Sequence, residues 1–372
     1  MRVQTSLEGK AIDVGWGQAR IAANLIWYGD FRSSGGDQGG KGGLAGGGGK
    51  GKQQQVTYSA AVVAGLCAGP VQAVLRAWDN KTAKTLAKLN LVAFLGAPTQ
   101  SPWGYLTSRH PDKALAYRGL AYVAAGPMNL GSSAELPNLA YEIKFAVADA
   151  VPGKPDADPA AIVADLLTSS RYGVGIDAVR VADLSIYSAY CRAAGLVLSP
   201  VLTEQASAQD VIGEWLAATN ASAVWSGGKI AIVPYGDRDL DANGAVYAAP
   251  AAPLYDLDDN DFITSDGAAP VQVARRAMNE AKNAIKIEFL DRANAYNPAV
   301  RQAKDDASIS AFGLRVADLR SWHFICDGDT AQASAELLLG RESIRNTYKF
   351  TLGPEYILLD PMDIVSLTDA GL

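Results

Sequence analysis

Apolar and polar residues alternate with a period of two along the first 148 residues, the spacing typical of β-strands with one buried face. Glycine and proline clusters interrupt the alternation and mark turns between strands. The pattern predicts a β-rich domain over residues 1–148, most simply a barrel or a sandwich. The predicted strands are 20–27, 56–66, 71–78, 117–123 and 139–147.

The last two of these strands are expected to pair with each other. Both carry the aromatic and β-branched residues that favour a pleated surface. Gly126-Pro127, Gly131 and Pro137 lie between them and predict a loop. A hairpin of residues 117–123 and 139–147 would close the first domain.

After a linker rich in Asp, Pro and Gly (149–158), apolar residues recur at the three-to-four-residue spacing of amphipathic helices. Asp158 can cap a first helix that has Pro159 at its first position. A second helix is predicted over residues 183–194, with Gly195 placed to end it.

Ser207, with Asp210 three residues later, forms a capping box and predicts the start of a third helix. Its predicted buried face is Val211, Ile212, Trp215 and Leu216. A hairpin follows, 222–225 with 229–234, that turns at Gly227-Gly228. Together these elements predict a small α/β domain over residues 149–237.

Residues 254–372 return to strand spacing, with one helix over about 330–346 that Thr330 would cap. Ala331, Ala335 and Leu338 are the predicted inward residues of that helix. We expect the last strand to be completed by a neighbouring chain or by a continuation of this one, because an open strand edge leaves backbone groups unpaired. The predicted strands are 284–290 and a meander of 347–351, 356–359 and 364–367. The predicted fold class is α+β, mainly β, with two barrel-like β domains and the small α/β domain inserted between them.

The glycine-rich stretch 35–52 has almost nothing to bury and is predicted to be a mobile, dispensable loop. Gly35 and Gly40-Lys41 have the spacing of a phosphate-binding loop. Gly42, however, stands where Ser or Thr would bind Mg²⁺, and a strand rather than a helix is predicted to follow. We therefore interpret the stretch as a loop without a nucleotide site.

Two other groups of residues partly match known sites. Asp256, Asp258 and Asn260 have the spacing of the first calcium-loop ligands, but Asp261 replaces the required Gly and Gly267 replaces the Glu. The interpretation is an acidic, solvated loop.

His323 and Cys326 could form a nucleophilic pair only on a helix, whereas Trp322 to Ile325 is predicted to be a strand or the end of one. We assign no catalytic, cofactor-binding or metal-ligating residue, and we expect no enzyme and no cofactor.

Composition limits the remaining functions. The chain has 372 residues, 49% of them hydrophobic, and a net charge of −6, which disfavours a surface that binds nucleic acid. Cys67, Cys191 and Cys326 are too widely spaced for a disulfide framework or a zinc site. The N-terminus lacks an apolar signal-peptide region, and the longest apolar run, 60–71, is shorter than a membrane span.

A series of motifs runs in order along nearly the whole chain. Its residues are Ile26-Trp27, the 35–52 loop, Gly69-Pro70, Trp78, Phe94-Leu95-Gly96 with Gln100, Tyr117-Arg118-Gly119, Leu136-Pro137-Asn138, Asp165–Thr168, Tyr172-Gly173 with Gly175, Tyr190-Cys191 with Gly195, Val224-Trp225-Ser226, Gly228-Lys229, Pro234 with Gly236-Asp237, Asp291-Arg292 with Asn294 and Tyr296, and Pro361-Met362-Asp363. The series resembles the tail hub proteins of long-tailed bacteriophages, a family that includes the lambda-type central tail tip protein and the hubs of gene transfer agents. In Pro361-Met362-Asp363, Met362 replaces the glycine of the family.

The resemblance implies a structural protein of the virion tail tip or baseplate, made in the host bacterial cytoplasm. It implies a homotrimeric hub that contributes six β domains, contacts the distal tail ring and the tape measure protein, and lets DNA pass without binding it. An acidic wall suits that passage. Two alternatives stay open: a wall-degrading hydrolase, and a carbohydrate-binding module that uses Trp16 or Trp103 as exposed stacking platforms.

Overall fold

The computed structural model describes residues 11–34, 56–79, 81–250, 252–264, 269–278 and 280–369. The glycine-rich stretch 35–52 lies outside the described residues. The chain divides into two compact units. Unit 1 is Met1–Ala146 with Val201–Gln205, and unit 2 is Val147–Pro200 with Ala206–Leu372.

Strands and helices are numbered in chain order. The strands are β1 (Val14–Gly15), β2 (Gln18–Ala22), β3 (Asn24–Ser34), β4 (Thr57–Ala68), β5 (Ala73–Asp79), β6 (Thr82–Lys84), β7 (Val92–Leu95), β8 (Leu120–Gly131), β9 (Leu139–Lys144), β10 (Val201–Leu202), β11 (Ala221–Ser226), β12 (Lys229–Pro234), β13 (Leu240–Ala242), β14 (Ala245–Tyr247), β15 (Tyr255–Leu257), β16 (Gln272–Arg275), β17 (Ala284–Asp291), β18 (Asn297–Lys304), β19 (Arg320–Ser321), β20 (Asn346–Lys349) and β21 (Val365–Leu367). The α-helices are α1 (Gly104–Arg109), α2 (Pro159–Thr168), α3 (Ser185–Ala193), α4 (Ala208–Ala218), α5 (Asp306–Phe312) and α6 (Gly328–Ser343). Short 3₁₀ turns occupy Ala87–Leu89, Pro111–Lys113, Ala178–Arg180, Arg292–Asn294 and Pro354–Tyr356.

Unit 1 is built on two four-stranded antiparallel sheets, ordered β2-β9-β5-β6 and β3-β4-β8-β7. The two sheets share one hydrophobic core. The first sheet contributes Ile21, Tyr141 and Ile143, and the second contributes Val62 and Val123. The architecture is therefore a sandwich, and within the described residues neither sheet closes into a barrel.

The predicted hairpin of residues 117–123 and 139–147 is wrong. Strand β8 pairs with β4 and β7 in one sheet, whereas β9 pairs with β2 and β5 in the other. Gly126-Pro127 does not end the first strand but lies at a register shift between β4 and β8, the kind of bulge that tolerates a proline. The apolar residues of β8 and β9 meet across the core of the sandwich instead of side by side.

The single strand predicted over residues 20–27 is two strands. Strands β2 and β3 are separated at Ala23, and they belong to different sheets of the sandwich. The apolar alternation continues through this change of sheet, so the sequence pattern alone gave no sign of it.

The opposite face of the β3-β4-β8-β7 sheet is also covered. Trp103 and Leu106, at the start of and within helix α1, are buried against Val63 and Tyr122 of the sheet. The ring of Tyr122 stacks on that of Phe94 with the centroids 4.3 Å apart. This sheet therefore has apolar packing on both faces.

Helices α2 and α4 of unit 2 begin where their caps predict, and the helix predicted over 183–194 is α3, Ser185–Ala193. The Asp158 carboxylate accepts from Ala160 N at 2.9 Å, and the Ser207 hydroxyl accepts from Asp210 N at 3.4 Å. Gly195, with φ +69°, follows helix α3. Ile212, Trp215 and Leu216 of helix α4 are buried as predicted, whereas Val211 is half-buried.

Strands β11 and β12 form the predicted hairpin, with Ser226 opposite Lys229. Gly227 and Gly228 form its turn with φ values of +55° and +78°. Both lie in the left-handed region that a two-residue turn of this kind requires and that glycine adopts without strain.

In the C-terminal part, the strand predicted over 284–290 forms as β17, and it lies between β18 and β19. Helix α6 packs on β17 and β18. Its cap is Asp327, whose carboxylate accepts from Thr330 N at 3.0 Å. The prediction that Thr330 caps this helix is therefore wrong, because the helix begins two residues earlier, and it ends at Ser343 instead of about 346.

The predicted C-terminal meander is also wrong. Strand β20 pairs with β16, and β21 pairs in parallel with β15, so neither pairs with its neighbour in sequence. Residues 356–359, predicted as a strand, form a turn that starts at Pro354, a residue suited to the first position of a helical turn. The predicted class is nevertheless confirmed: the described chain is α+β and mainly β.

Candidate assembly surface

The C-terminal β segment, residues 254–264, 269–275 and 345–369, surrounds a small core. Leu257, Phe262 and Val271 are its buried residues. The side chains packed around them are only partly buried: Tyr255, Phe350, Leu352, Tyr356, Val365 and Leu367. Few of the apolar residues of this segment are therefore fully removed from solvent within one chain.

The ribbon β16–β20 is part of this segment, and all eight of its residues are exposed. Val273 lies directly opposite Tyr348 in the ribbon, which gives an apolar pair that stays in solvent. In the described residues the ribbon pairs with no other strand. Because an isolated two-stranded sheet is marginally stable and has open edges, this ribbon is suited to contact another chain.

Several large aliphatic side chains of the same segment project into solvent. Ile357 and Leu358 are adjacent and are 82% and 75% exposed. We use the name C-terminal apolar set for the exposed residues Leu254, Ile263, Val273, Tyr348, Ile357, Leu358 and Ile364. Exposed apolar residues concentrated in one short segment are typical of a protein–protein contact.

The Asp-Arg-x-Asn-x-Tyr turn after β17 holds an internal clamp. Asp156 is fully buried, and Arg292 Nη1 donates to its Oδ2 at 3.0 Å. The Ser199 hydroxyl donates to the same carboxylate at 2.6 Å. Burial alone would lower the pKa of the Arg292 guanidinium, but the hydrogen bonds and charge of Asp156 raise it above its ordinary value. Arg292 therefore remains charged. It joins the turn after β17 to the segment before helix α2, and both belong to unit 2.

Two further hydrogen bonds join helix α6 to the α/β segment of unit 2. The Thr330 hydroxyl donates to the Gly195 carbonyl at 3.0 Å, and the Ser334 hydroxyl donates to the Ala218 carbonyl at 2.7 Å. Both hydroxyls lie on the buried side of helix α6. The turn after β17 and helix α6 are thus joined to the α/β segment, and all of them belong to one compact unit.

In unit 1, the Phe-Leu-Gly motif and the later Gln100 serve the fold. The Gln100 side chain accepts from Gly96 N at 2.8 Å and donates to the carbonyls of Ala116 and Tyr117 at 2.9 and 3.0 Å. A Cβ at Gly96 would lie 2.7 Å from the Gly69 Cα, so the two glycines allow a close backbone approach. The Phe-Leu-Gly motif and Gln100, which resemble the family, therefore stabilise the fold.

The acidic stretch that resembled a calcium loop forms local hydrogen bonds. Asp258 accepts from Asn260 N at 2.8 Å, and Asp261 accepts from Asp258 N at 2.7 Å. The Asp256 carboxylate accepts from the Ser366 hydroxyl. Gly267 lies outside the described residues. Among the described residues, no three or more His, Cys, Asp or Glu side chains lie together in an arrangement that could hold a metal ion.

His323 and Cys326 are not arranged as a nucleophilic pair. The His323 ring nitrogen lies 2.9 Å from a Glu288 carboxylate oxygen, at a turn that follows β19. Cys326 is buried, with 2% of its surface exposed. Its position in the core gives it the ordinary environment of a small apolar residue.

The tryptophans expected as carbohydrate platforms are in the core. Trp16 and Trp103 are 2% and 9% exposed, so the expectation of exposed platforms at these positions is wrong. Trp225, by contrast, is 58% exposed at the β11–β12 hairpin. None of the helices in the described part of the chain is both long and apolar enough to cross a membrane.

Comparison with known proteins agrees with these features. Residues 207–372 match the family described as "Putative phage tail protein". The fold is similar to that of a chain in a solved structure titled "Virion of native gene transfer agent (GTA) particle", with a TM-score of 0.64 and 19% sequence identity. The match covers 99% of this chain and 80% of that one. The predicted resemblance to a phage tail protein is therefore confirmed over residues 207–372.

The clamp and the apolar set were not visible in the sequence. Arg292 was recognised as part of a turn motif, but its partner lies 136 residues earlier. Whether Ile357 and Leu358 are buried or exposed depends on which strands pack over them. Their sequence would fit a buried strand equally well. The only indication in the sequence was Arg292 itself, because a basic residue in this family-like turn would need a carboxylate partner if it were buried.

Proposed function

We propose that the protein is a hub of a phage-type tail. In this proposal three copies form a ring at the tail tip or baseplate that closes or extends the tail tube. The ring joins the distal tail ring to the fibre or spike and lets DNA pass into the host. The protein is a structural component and carries no catalytic site.

The observation that carries this proposal is the incomplete C-terminal β segment. Among the described residues, no further strand pairs with either edge of its ribbon β16–β20, and Ile357 and Leu358 are exposed beside a small core. A neighbouring copy would remove these side chains from solvent and pair the open edges. The similarity of fold along nearly the whole chain to a virion protein supports the same conclusion.

In the proposed ring each chain contributes its sandwich domain, residues 1–148, and its C-terminal β domain, residues 254–372. The α/β domain, residues 149–237, lies between them in sequence. Three copies thus supply six β domains. The net charge of −6 supports a channel that passes DNA without retaining it, because like charges repel.

The proposed partners are the distal tail ring, the tape measure protein and other tail tip proteins. The proposed location is the tail tip of the virion, with synthesis in the cytoplasm of the host bacterium. A glycan array and a wall-hydrolysis assay on the purified protein are both expected to be negative. Activity in the second assay would favour the hydrolase alternative.

The oligomeric state of the purified chain tests the proposal. Sedimentation equilibrium should give three times the chain mass of 39.0 kDa at high concentration. The double variant Ile357→Asp, Leu358→Asp should shift the equilibrium toward monomer without lowering the melting temperature of the monomer. Val246→Asp, at a 68% exposed position on β14, is the matched control and should leave the trimer intact. A parent chain that stays monomeric at high concentration would contradict the hub.

A further inference from the structure

Charge is divided unevenly between the two units of the chain. Unit 1 contains 15 Lys and Arg against 9 Asp and Glu, so its net charge is +6. Unit 2 contains 18 Lys and Arg against 30 Asp and Glu, so its net charge is −12. The total of −6 therefore combines one basic unit with one acidic unit. Because opposite charges attract, unit 1 of one copy suits unit 2 of another.

The acidic charge is densest in the C-terminal β segment. The stretches 250–274 and 350–372, which contain most of this segment, have 9 Asp and Glu and neither Lys nor Arg. The described acidic residues are Asp256, Asp258, Asp259, Asp261, Glu355, Asp360, Asp363 and Asp369. A surface built from these stretches can form ion pairs only with cations from elsewhere.

The same stretches carry most of the C-terminal apolar set. Glu355 and Asp360 flank the exposed Ile357 and Leu358 in one turn. The Tyr356 hydroxyl of this turn donates to Asp261, so the acidic loop 258–261 lies beside it. We use the name acidic surface for this turn and loop, residues 354–360 and 258–261. An apolar centre with a charged rim is the ordinary composition of a protein–protein interface.

Unit 1 has a side on which cations and exposed apolar residues occur together. Strands β6 and β7 are consecutive in the chain, and each is the last strand of its sheet. Leu86 and Leu89, in the connection between them, pack on the core of the sandwich, so this connection covers one side of it. We use the name basic side for residues 81–95. Val92 and Leu95 of the basic side are 52% and 37% exposed.

The cations of the basic side are available to another chain. From residue 80 to residue 111 the sequence contains three Lys and one Arg and no Asp or Glu. Lys84 pairs with Asp79 at 2.6 Å, whereas Lys81 and Lys88 are exposed and form no ion pair with a described residue. Lysine at a strand edge also discourages unspecific pairing, but that role does not explain the exposed aliphatic side chains beside it.

We propose that the acidic surface of one copy contacts the basic side of unit 1 in the next copy. Exposed aliphatic side chains of the two surfaces meet at the centre, and Lys81 and Lys88 meet carboxylates at the rim. Each copy then uses a different surface toward each of its two neighbours, and such a head-to-tail contact generates a ring when its rotation closes. The inference rests on the proposed ring and names the surface that covers Ile357 and Leu358.

Reversal of charge on the full chain tests the contact. The variant Lys81→Glu, Lys88→Glu and the variant Asp259→Lys, Glu355→Lys should each weaken association at least about tenfold in sedimentation equilibrium. The fourfold variant has the parent's net charge with both surfaces reversed, and it should associate again about as strongly as the parent. Arg32→Glu, Lys113→Glu is the matched control, because both residues are exposed cations of unit 1 outside the basic side. It should leave association unchanged.

Cross-linking of the unaltered chain supplies a direct readout. A carbodiimide joins a lysine amine to a carboxylate only when the two are in contact, and a mixture of ¹⁴N-labelled and ¹⁵N-labelled chains distinguishes links between copies from links within one. We expect mixed-isotope links from Lys81 or Lys88 to Asp259 or Glu355. These links should be absent from the Ile357→Asp, Leu358→Asp variant, which is expected to be a monomer.

The outcomes separate this inference from the hub itself. A parent chain that associates while the Lys81→Glu, Lys88→Glu variant associates equally well would overturn the contact and leave the hub standing. Two weakened variants without recovery in the fourfold variant, or mixed-isotope links between other sites only, would also overturn it. A parent chain that stays monomeric at high concentration would overturn both proposals.

Discussion

Arg292 and Asp156 are 136 residues apart in sequence, and their side chains form a buried ion pair in unit 2, with Nη1 3.0 Å from Oδ2. The Arg292 Nε also donates to the Tyr296 hydroxyl at 3.3 Å, so two members of the turn motif are used together. The pair connects the segment before helix α2 with the turn after β17. This turn, one of the motifs that resemble the family, therefore stabilises the fold.

Removal of one partner of this pair should destabilise unit 2 strongly. Asp156→Ala leaves the Arg292 guanidinium buried without its counter-charge, and we expect a loss of about 3–5 kcal/mol in the free energy of unfolding. Urea denaturation measures it. Asp112→Asn is the control, because Asp112 and Lys113 form an exposed pair at 3.3 Å and should contribute less than about 1 kcal/mol. A small change at Asp156 would show that the ion pair is not formed in solution.

Trp215 should also contribute strongly to the free energy of unfolding. It is 2% exposed on helix α4, which packs on β11 and α2. Trp215→Ala is expected to lower the free energy of unfolding by about 3 kcal/mol or more through the cavity that it leaves. Trp225→Ala, at the 58% exposed tryptophan of the neighbouring hairpin, should change it by only about 0.5 kcal/mol. Equal effects of the two substitutions would argue against the packing of helix α4.

Met362 is the place where the chain departs from the family turn, and its φ is +81°. A residue with a Cβ is strained in that region by about 1–2 kcal/mol, whereas glycine is not. Met362→Gly is expected to stabilise the protein by up to about 1 kcal/mol, measured as an increase in the denaturation midpoint. Met362→Ala retains the Cβ and should give no gain. If alanine stabilised as much as glycine, the positive φ would not be the cause.

Asp327 should make stability depend on acid pH. Burial alone would raise the pKa of its carboxyl, but hydrogen bonds from Lys154 and from Thr330 N lower it below the ordinary value of 3.8. A carboxyl whose pKa is lower in the folded state stabilises the fold above its ordinary pKa and loses that effect as the pH falls through the folded value. Asp327→Asn should therefore be destabilising at neutral pH, with a difference from the parent that shrinks between about pH 5 and pH 2.

Asp329→Asn is the matched control for that experiment. Asp329 lies in the first turn of the same helix, 3.9 Å from Lys154, but its side chain is 88% exposed. Its substitution should change stability little at any pH. Chemical denaturation of the three proteins at several pH values compares them. A constant difference between parent and Asp327→Asn would exclude the ionisation of Asp327 as the cause.

The sequence by itself determined features that depend on residues close together in the chain. The caps at Asp158 and Ser207 and the turn at Gly227-Gly228 all form as predicted. Helical spacing placed helix α4 with Trp215 inward. Each of these follows from local hydrogen bonds or local backbone preference, which a few neighbouring residues decide.

Only the tertiary structure decided which strands pair and which side chains meet. Strands β8 and β9 carry the same apolar alternation whether they form a hairpin or face each other across a core, and in this protein they face each other. Asp156 becomes the partner of Arg292, and Ile357 stays in solvent, because of chain segments far away in sequence. The alternation of apolar and polar residues indicates that a strand has a buried face. Long-range packing decides which partner covers that face.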